Sequence, residues 1–369
     1  MVTERCGNAQ VAGLVSATMR VSPTLSDSEQ ETSAQVAARA RSGDRSPYID
    51  ALRALAILRV YLLHTLWLTW LPMVFPAMPV MFALAGYLTA VSLDRGAPLR
   101  VVGSRLRRLL PPLWALAAVA VPLMVLVGWR PGLLDVTWWV APLRNPPSSE
   151  WGGPFSLGLW YIRAYLWLVL LSPLLWWAFR RWPVGALLAL PAFAVLLTSP
   201  LVDLPVSPVT DVVWSVAAYG SCWLVGYARH TGLLDRVPLA WYAFGVGVLA
   251  LGAMMWLADR GEDDQLGGLA WGWAVVLLLM RARPRLDWLT QVPWLVRLIR
   301  MINARAVTIY IWHLPVLYAA GGLLTLAGLA AGKAAMLGVG TTLLVAVVLA
   351  LGWVEDLAAR RRPSLLPPG

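Results

Sequence analysis

Residues 73–128 read MVFPAMPVMFALAGYLTAVSLDRGAPLRVVGSRLRRLLPPLWALAAVAVPLMVLVG. Two apolar runs, roughly 73–93 and 111–128, flank a connection that carries Arg95, Arg100, Arg105, Arg107 and Arg108. About 20 apolar residues suffice for a helix to cross a bilayer, and arginine gathers in the short loops on the cytoplasmic side. The stretch therefore reads as two membrane crossings joined on the cytoplasmic face.

The same alternation continues on both sides of it. Further apolar runs lie at roughly 49–70, 157–178, 183–200, 211–228, 238–258, 267–281, 305–327 and 334–354. Arg180 and Arg181 follow the fourth run, and Arg229 and Arg236 the sixth. Arg281, Arg283, Arg285, Arg297, Arg300 and Arg305 follow the eighth, and Arg360, Arg361 and Arg362 close the tail. The alternate loops hold little positive charge, and one of them reads Asp259-Arg260-Gly261-Glu262-Asp263-Asp264. This pattern predicts an all-α integral membrane protein of about ten transmembrane helices with both termini cytoplasmic. A multi-pass protein of a bacterial plasma membrane is expected.

Composition points the same way. Hydrophobic residues make up 59% of the chain and charged residues 13%, against roughly 25% charged in a soluble domain. A formal net charge of +11 would suggest nucleic acid in a soluble protein. Here the arginines sit in loops between apolar runs, so the charge reads as topology, with membrane lipid and no nucleic acid as partner. Residues 1–46 are polar and read as a disordered cytoplasmic leader. No apolar core follows their early charges, as a signal peptide would require. Residues 47–355 form the transmembrane domain, and 356–369 a cytoplasmic tail. Cys6 and Cys222 offer neither a disulfide framework nor metal-ligand spacing, and three histidines in separate segments do not make a metal site. The loop at 129–156, with Trp138, Trp139 and Trp151, reads as an interfacial cap more readily than as a platform for sugar rings.

Ionisable groups inside a bilayer face a partner or a cavity. The first run holds Asp50, Arg53, Arg59 and His64. Arg53 and His64 are eleven positions apart, about three turns or ~16 Å along a helix, and about 100° per residue returns them to one face. Asp50 lies three before Arg53 and could pair with it; Arg59 points elsewhere. A histidine so placed is either a hydrogen-bond donor between helices or a general base, and the shared face with Arg53 favours the base. Arg105 and Arg108, at i and i+3 before Pro111-Pro112, are either a topology signal or a fork for phosphate oxygens. Trp160, Tyr161 and Arg163 stand at the outer start of the fourth run, where Arg163 can line a cavity. Tyr310 and His313 lie in the ninth run, and His313 is as readily structural as functional.

The run YIDALRALAILRVYLLH, from Tyr48 to His64, strongly resembles the opening of the membrane-bound acyltransferase 3 family, marked by an arginine, ten residues and a histidine. Asp50 also matches. FALAGYL at 82–88, Arg105 and Arg108 before Pro111, LWYIRAYL at 159–166 and IYIWH at 309–313 resemble further motifs of that family in the same order. The likeness covers about residues 47–355. It implies transfer of an acyl group, often acetyl, from cytoplasmic acyl-CoA to a hydroxyl of a glycan, lipid or secondary metabolite. His64 matches the catalytic histidine, and Arg53, Arg105 and Arg108 the residues tied to acyl-CoA. Acyl-CoA would be a co-substrate, with no cofactor bound permanently. The acceptor is acylated directly, or the group passes to a separate extracytoplasmic transferase. His64 can act as base or through an acyl-histidine relay. A transporter or flippase of glycans or lipids uses membrane-embedded Arg, Asp and His equally well, although no internal symmetry favours it. A catalytically dead scaffold is a third reading.

Overall fold

The computed structural model describes residues 46–364 apart from 200, 203, 206, 262 and 263. The expected leader lies outside the described residues except for Ser46. The described residues are helical, with no strand among them. In chain order the helices are α1 (Pro47–Leu66), α2 (Leu71–Val74), α3 (Ala77–Arg95), α4 (Pro98–Leu126), α5 (Leu133–Val140), α6 (Gly153–Leu157), α7 (Leu159–Arg181) and α8 (Pro183–Thr198). There follow α9 (Pro208–His230), α10 (Leu239–Arg260), α11 (Gln265–Arg281), α12 (Pro293–Ala304), α13 (Ala306–Leu326), α14 (Lys333–Leu351) and α15 (Trp353–Ala358).

Among the described residues six stretches are long and apolar enough to cross a membrane: Leu71–Arg95, Pro98–Leu126, Gly153–Arg181, Leu239–Arg260, Ala306–Leu326 and Lys333–Leu351. Helices α8 and α11 are apolar but shorter. Helices α1 and α9 run for 20 and 23 residues but break their apolar surface with charge. The third expected run begins earlier than its sequence predicts. The apolar run covers 111–128, yet α4 starts at Pro98 and carries Arg100, Arg105, Arg107 and Arg108 on its own first turns. Pro98 at the first helical position loses no hydrogen bond. Pro111 and Pro112 deny donors to the carbonyls four residues before them, a loss that membrane helices tolerate when neighbours pack around it.

The tightest crossing joins α3 to α9. A Cβ on Gly86 would overlap the Trp223 carbonyl oxygen and lie 2.8 Å from its carbon. A Cβ on Gly226 would overlap Ala83 O and Tyr87 N and lie 3.0 Å from the Gly86 carbon. Reciprocal glycines let two helix backbones touch, the usual way that helices associate where lipid is as apolar as the side chains. Cys222, on the same helix, is 0% exposed. Helices α1 and α13 join this core, whereas α10 buries only Ala253 and Leu257 and α14 only Gly340 and Leu344. The outer face of α10 exposes Trp241, Phe244, Leu251 and Met255, a surface suited to lipid and not to water.

Polar contacts gather at one end of the bundle. Arg180 and His230 reach Asp94 at 3.4 and 3.3 Å, and Arg283 pairs with Asp235. Arg229 donates to the Met280 carbonyl and, at 2.9 Å, to that of Ala282, so a cation caps the C-terminus of α11. The start of the expected tail is bonded into this end. Arg305, 1% exposed, meets the Asp356 carboxylate at 2.8 Å and donates to the Ser364 carbonyl at 2.7 Å. Glu355 accepts from the Thr308 amide at 2.7 Å, at the start of α13. Burial alone would raise the Asp356 carboxyl, but the hydrogen bonds and charge of Arg305 and Ser364 hold it below the usual carboxylate range. Glu355 is moved the other way, because burial outweighs its contacts to Thr308, Arg53 and Arg305.

Candidate active site

Helix α1 is fixed at both levels of the bundle. Near its start Asn303 donates to the Asp50 carbonyl at 2.8 Å, and further on the Tyr61 hydroxyl meets that of Thr341 at 3.0 Å. Between and beyond these ties it presents Arg53 and His64, both part-buried. Helix α13 lies beside it and brings His313 against His64, with ring centroids 5.1 Å apart. The sequence offered no partner for His313; the structure supplies His64, across nearly the whole length of the chain.

Backbone hydrogen bonds set both tautomers. His64 Nδ1 lies 2.9 Å from the Val60 carbonyl, and His313 Nδ1 meets the carbonyl of Tyr310. A carbonyl can only accept, so each Nδ1 carries the proton, and each neutral ring keeps its lone pair on Nε2. His313 Nε2 is buried with no hydrogen-bond partner among the described residues. Two rings with basic Nε2 atoms therefore lie side by side, each held from behind.

A run of aromatic rings leads from this pair toward the arginines. His313 lies 5.5 Å from the Tyr310 ring, Tyr310 4.8 Å from Tyr161, and Tyr161 6.2 Å from Tyr165. The Tyr165 hydroxyl accepts from Arg105 Nη1 at 3.3 Å. Tyr310 is itself fixed by donating to the Gly158 carbonyl at 3.0 Å. Arg53 lies within electrostatic reach of both Tyr161 and Glu355. Arg105 is half-buried, with a buried Nε that lacks a partner among the described residues, whereas Arg108 is exposed. Arg59, which the sequence turned away from His64, is buried on α1 and still acts on His64 through its charge.

Trp160 and Arg163 stand at the opposite end. Arg163 is buried and donates to Ser215 Oγ at 3.1 Å and to the Asp211 carbonyl at 3.4 Å. The loop at 129–156 folds over that end: Trp139 is buried and donates to the Pro147 carbonyl at 3.0 Å, while Trp167 of α7 donates to that of Leu143 at 2.9 Å. Of the loop's four tryptophans, Trp151 is exposed, Trp129 and Trp138 are half-buried and Trp139 is buried.

A family model for an acyltransferase domain, acyltransferase 3, matches residues 46–354. The chain belongs to that family. No curated protein and no solved structure matches it. In this acyltransferase the matched region takes in His64, His313, Arg53, Arg105 and Arg108, together with every ring between them. Among its described residues no group of three metal-ligating side chains assembles. The side chains that do assemble are bases, arginines and phenols, a set suited to moving a proton and holding an anionic donor.

Proposed function

We propose that the protein moves an acyl group, acetyl foremost, from cytoplasmic acyl-CoA to a hydroxyl of a glycan, lipid or secondary metabolite. The observation that carries this reading is the His64–His313 pair, linked by a run of neighbouring tyrosine rings to Arg105. Ten crossings with both termini in the cytoplasm, in a bacterial plasma membrane, fit the charge pattern. That orientation puts the arginine-rich end on the side where acyl-CoA resides. Arg53, Arg105 and Arg108 then hold its phosphates, Arg105 and Arg108 from adjacent turns of α4.

In the reaction His64 Nε2 takes the proton of the acceptor hydroxyl as that oxygen attacks the thioester carbonyl carbon. The carbon–sulfur bond breaks, and the imidazolium returns the proton to the departing CoA thiolate. His313, Tyr310 and Tyr161 form the wall against which the acyl group lies. The reading requires no permanently bound cofactor. The acylated product is released to the far side directly, or its group is taken up by a separate extracytoplasmic transferase.

The test is release of CoA thiol by protein purified into lipid nanodiscs and supplied with acetyl-CoA and envelope extract. His64→Gln keeps a hydrogen bond and loses proton transfer, so turnover should fall by about 10²–10⁴. His313→Ala, measured beside it, shows which ring is the base. Wild-type turnover in His64→Gln would remove His64 from the mechanism. Absence of thiol release in the wild type would favour transport over chemistry.

A further inference from the structure

At the end away from the arginines, the first turns of α7, α9 and α11 enclose a cleft of about 280 Å³. Trp160, Arg163, Asp211, Trp214, Ser215 and Gln265 line it, with Asn145 from the folded-over loop at its mouth. Its floor is short of acceptors. Arg163 is 4% exposed, and its Nε is buried without a partner among the described residues. Trp214 Nε1 is in the same state. A buried donor left unmet is costly, and two of them on one cleft call for a ligand that brings lone pairs.

The walls are aromatic and held in place. The Trp160 and Trp214 rings meet Tyr219 at 5.5 and 6.0 Å, and Tyr219 stacks on Phe82 at 4.6 Å. The rim is polar: Asn145, Asp211 and Gln265 are exposed. Asp211 also acts on Arg163 through its charge, so the cleft is near neutral and does not demand an anion. Its volume falls just below the ~300–1,000 Å³ of ordinary small-molecule sites. It holds part of a ligand, about one ring, and not the whole.

We propose that this cleft binds one neutral sugar ring of the acceptor. Hydroxyl and ring oxygens accept from Arg163 and Trp214 in the floor. Hydroxyl protons go to Asp211, Asn145 and Gln265 at the rim, and a C–H face lies on the Trp160 indole. An acyl chain would leave both floor donors unmet. The Trp160 ring is 6.3 Å from Tyr161, which belongs to the ring series leading to His313. The cleft and the histidine pair thus share one aromatic packing unit. Assigning the bound ring to the acceptor rests on the acyltransferase reading; the binding itself does not.

The test is saturation-transfer NMR on His64→Gln protein in nanodiscs, where binding is read without turnover. The probes are methyl β-glucoside, methyl N-acetyl-β-glucosaminide, glucuronate and glycerol 3-phosphate. Transfer to the two neutral glycosides is expected, reduced at least fivefold by Trp214→Ala and by Gln265→Ala and unchanged by Trp151→Ala. Gln265 is exposed, so its variant guards against a fold lost with Trp214. Silence of both neutral glycosides in folded protein would overturn the proposal. So would transfer to glucuronate or glycerol 3-phosphate alone, or glycoside signals that survive both cleft variants. Saccharide binding without CoA release by the wild type would keep the cleft and sink the catalytic reading.

Discussion

Gly226→Ala adds a single methyl group at the α3–α9 crossing, and the structure gives its cost. The new carbon would overlap Ala83 O and Tyr87 N and stand 3.0 Å from the Gly86 carbonyl carbon. All three are backbone atoms, so no rotamer change can clear them. The helices must part by on the order of 1 Å, which forfeits a quarter to a half of each dispersion contact along the crossing. Overpacking costs about 1–3 kcal/mol, and rigid neighbours put this site in the upper half, at about 2–3 kcal/mol. Cys222 lies one turn before Gly226 and is fully buried, so its thiol reports the opening. With Cys6→Ser as background it is the sole thiol, since the chain has two cysteines. Where closing is faster than labelling, the rate with a maleimide dye follows the open population. It should rise about 30- to 150-fold, at 1.4 kcal/mol per decade. Gly245→Ala, on lipid-facing α10 with open space around its Cβ, should be neutral or stabilising by about 0.5–1 kcal/mol. Wild-type labelling in Gly226→Ala would refute the claim that this crossing is closed by the absence of a side chain.

Asp356→Asn should destabilise by about 3–5 kcal/mol, because Arg305 is left buried without its counter-charge; Arg305→Met with Asp356→Leu should recover most of that in the same thiol assay. The Asp356 pKa is depressed in the fold, so the stability it contributes is complete above its unfolded value of about 4 and is lost as pH falls through the lower folded value. A titration of thermal stability should therefore show no pH-dependence from this pair between about pH 5 and 8, where its contribution is complete. Arg105→Glu or Arg108→Glu should weaken acyl-CoA binding severely in calorimetry, while lysine at either site retains part of it; unchanged affinity in both glutamate variants would reduce them to a topology signal. In a cysteine-free background, Gln265→Cys should react with an impermeant reagent on intact cells and Gly96→Cys should not, and labelling of Gly96→Cys from outside would invert the proposed orientation.

The sequence made legible whatever depends on one helix at a time. Arg53 and His64 share α1, so the helical repeat alone relates them. Helix limits mostly followed the apolar runs, because lipid demands a continuous apolar surface. The apolar run at 111–128 marks hydrophobic surface only, so it gave no signal for the arginine-bearing turns with which α4 begins at Pro98; Arg105 on those turns reaches Tyr165. The contact between His64 and His313 had no local signal, since packing of α1 on α13 sets it. Asp211, Trp214 and Asp356 went unremarked for the same reason: which polar side chains turn inward is decided by neighbours remote in the chain.

The buried pair of Arg305 and Asp356 also sets an order of events during synthesis. Asp356 follows Arg305 by 51 residues, and at about 5–20 residues per second the ribosome takes roughly 3–10 s to make them. Through that interval α13 and α14 are being laid into the bilayer while Arg305 has no acid to meet. The end of the bundle that holds Arg305 is thus closed only once α15 has been made, after α13 and α14. A nascent chain stopped just short of Asp356 would present the cell with a finished set of long helices and one bare buried cation, a mark by which an unfinished copy differs from a complete one.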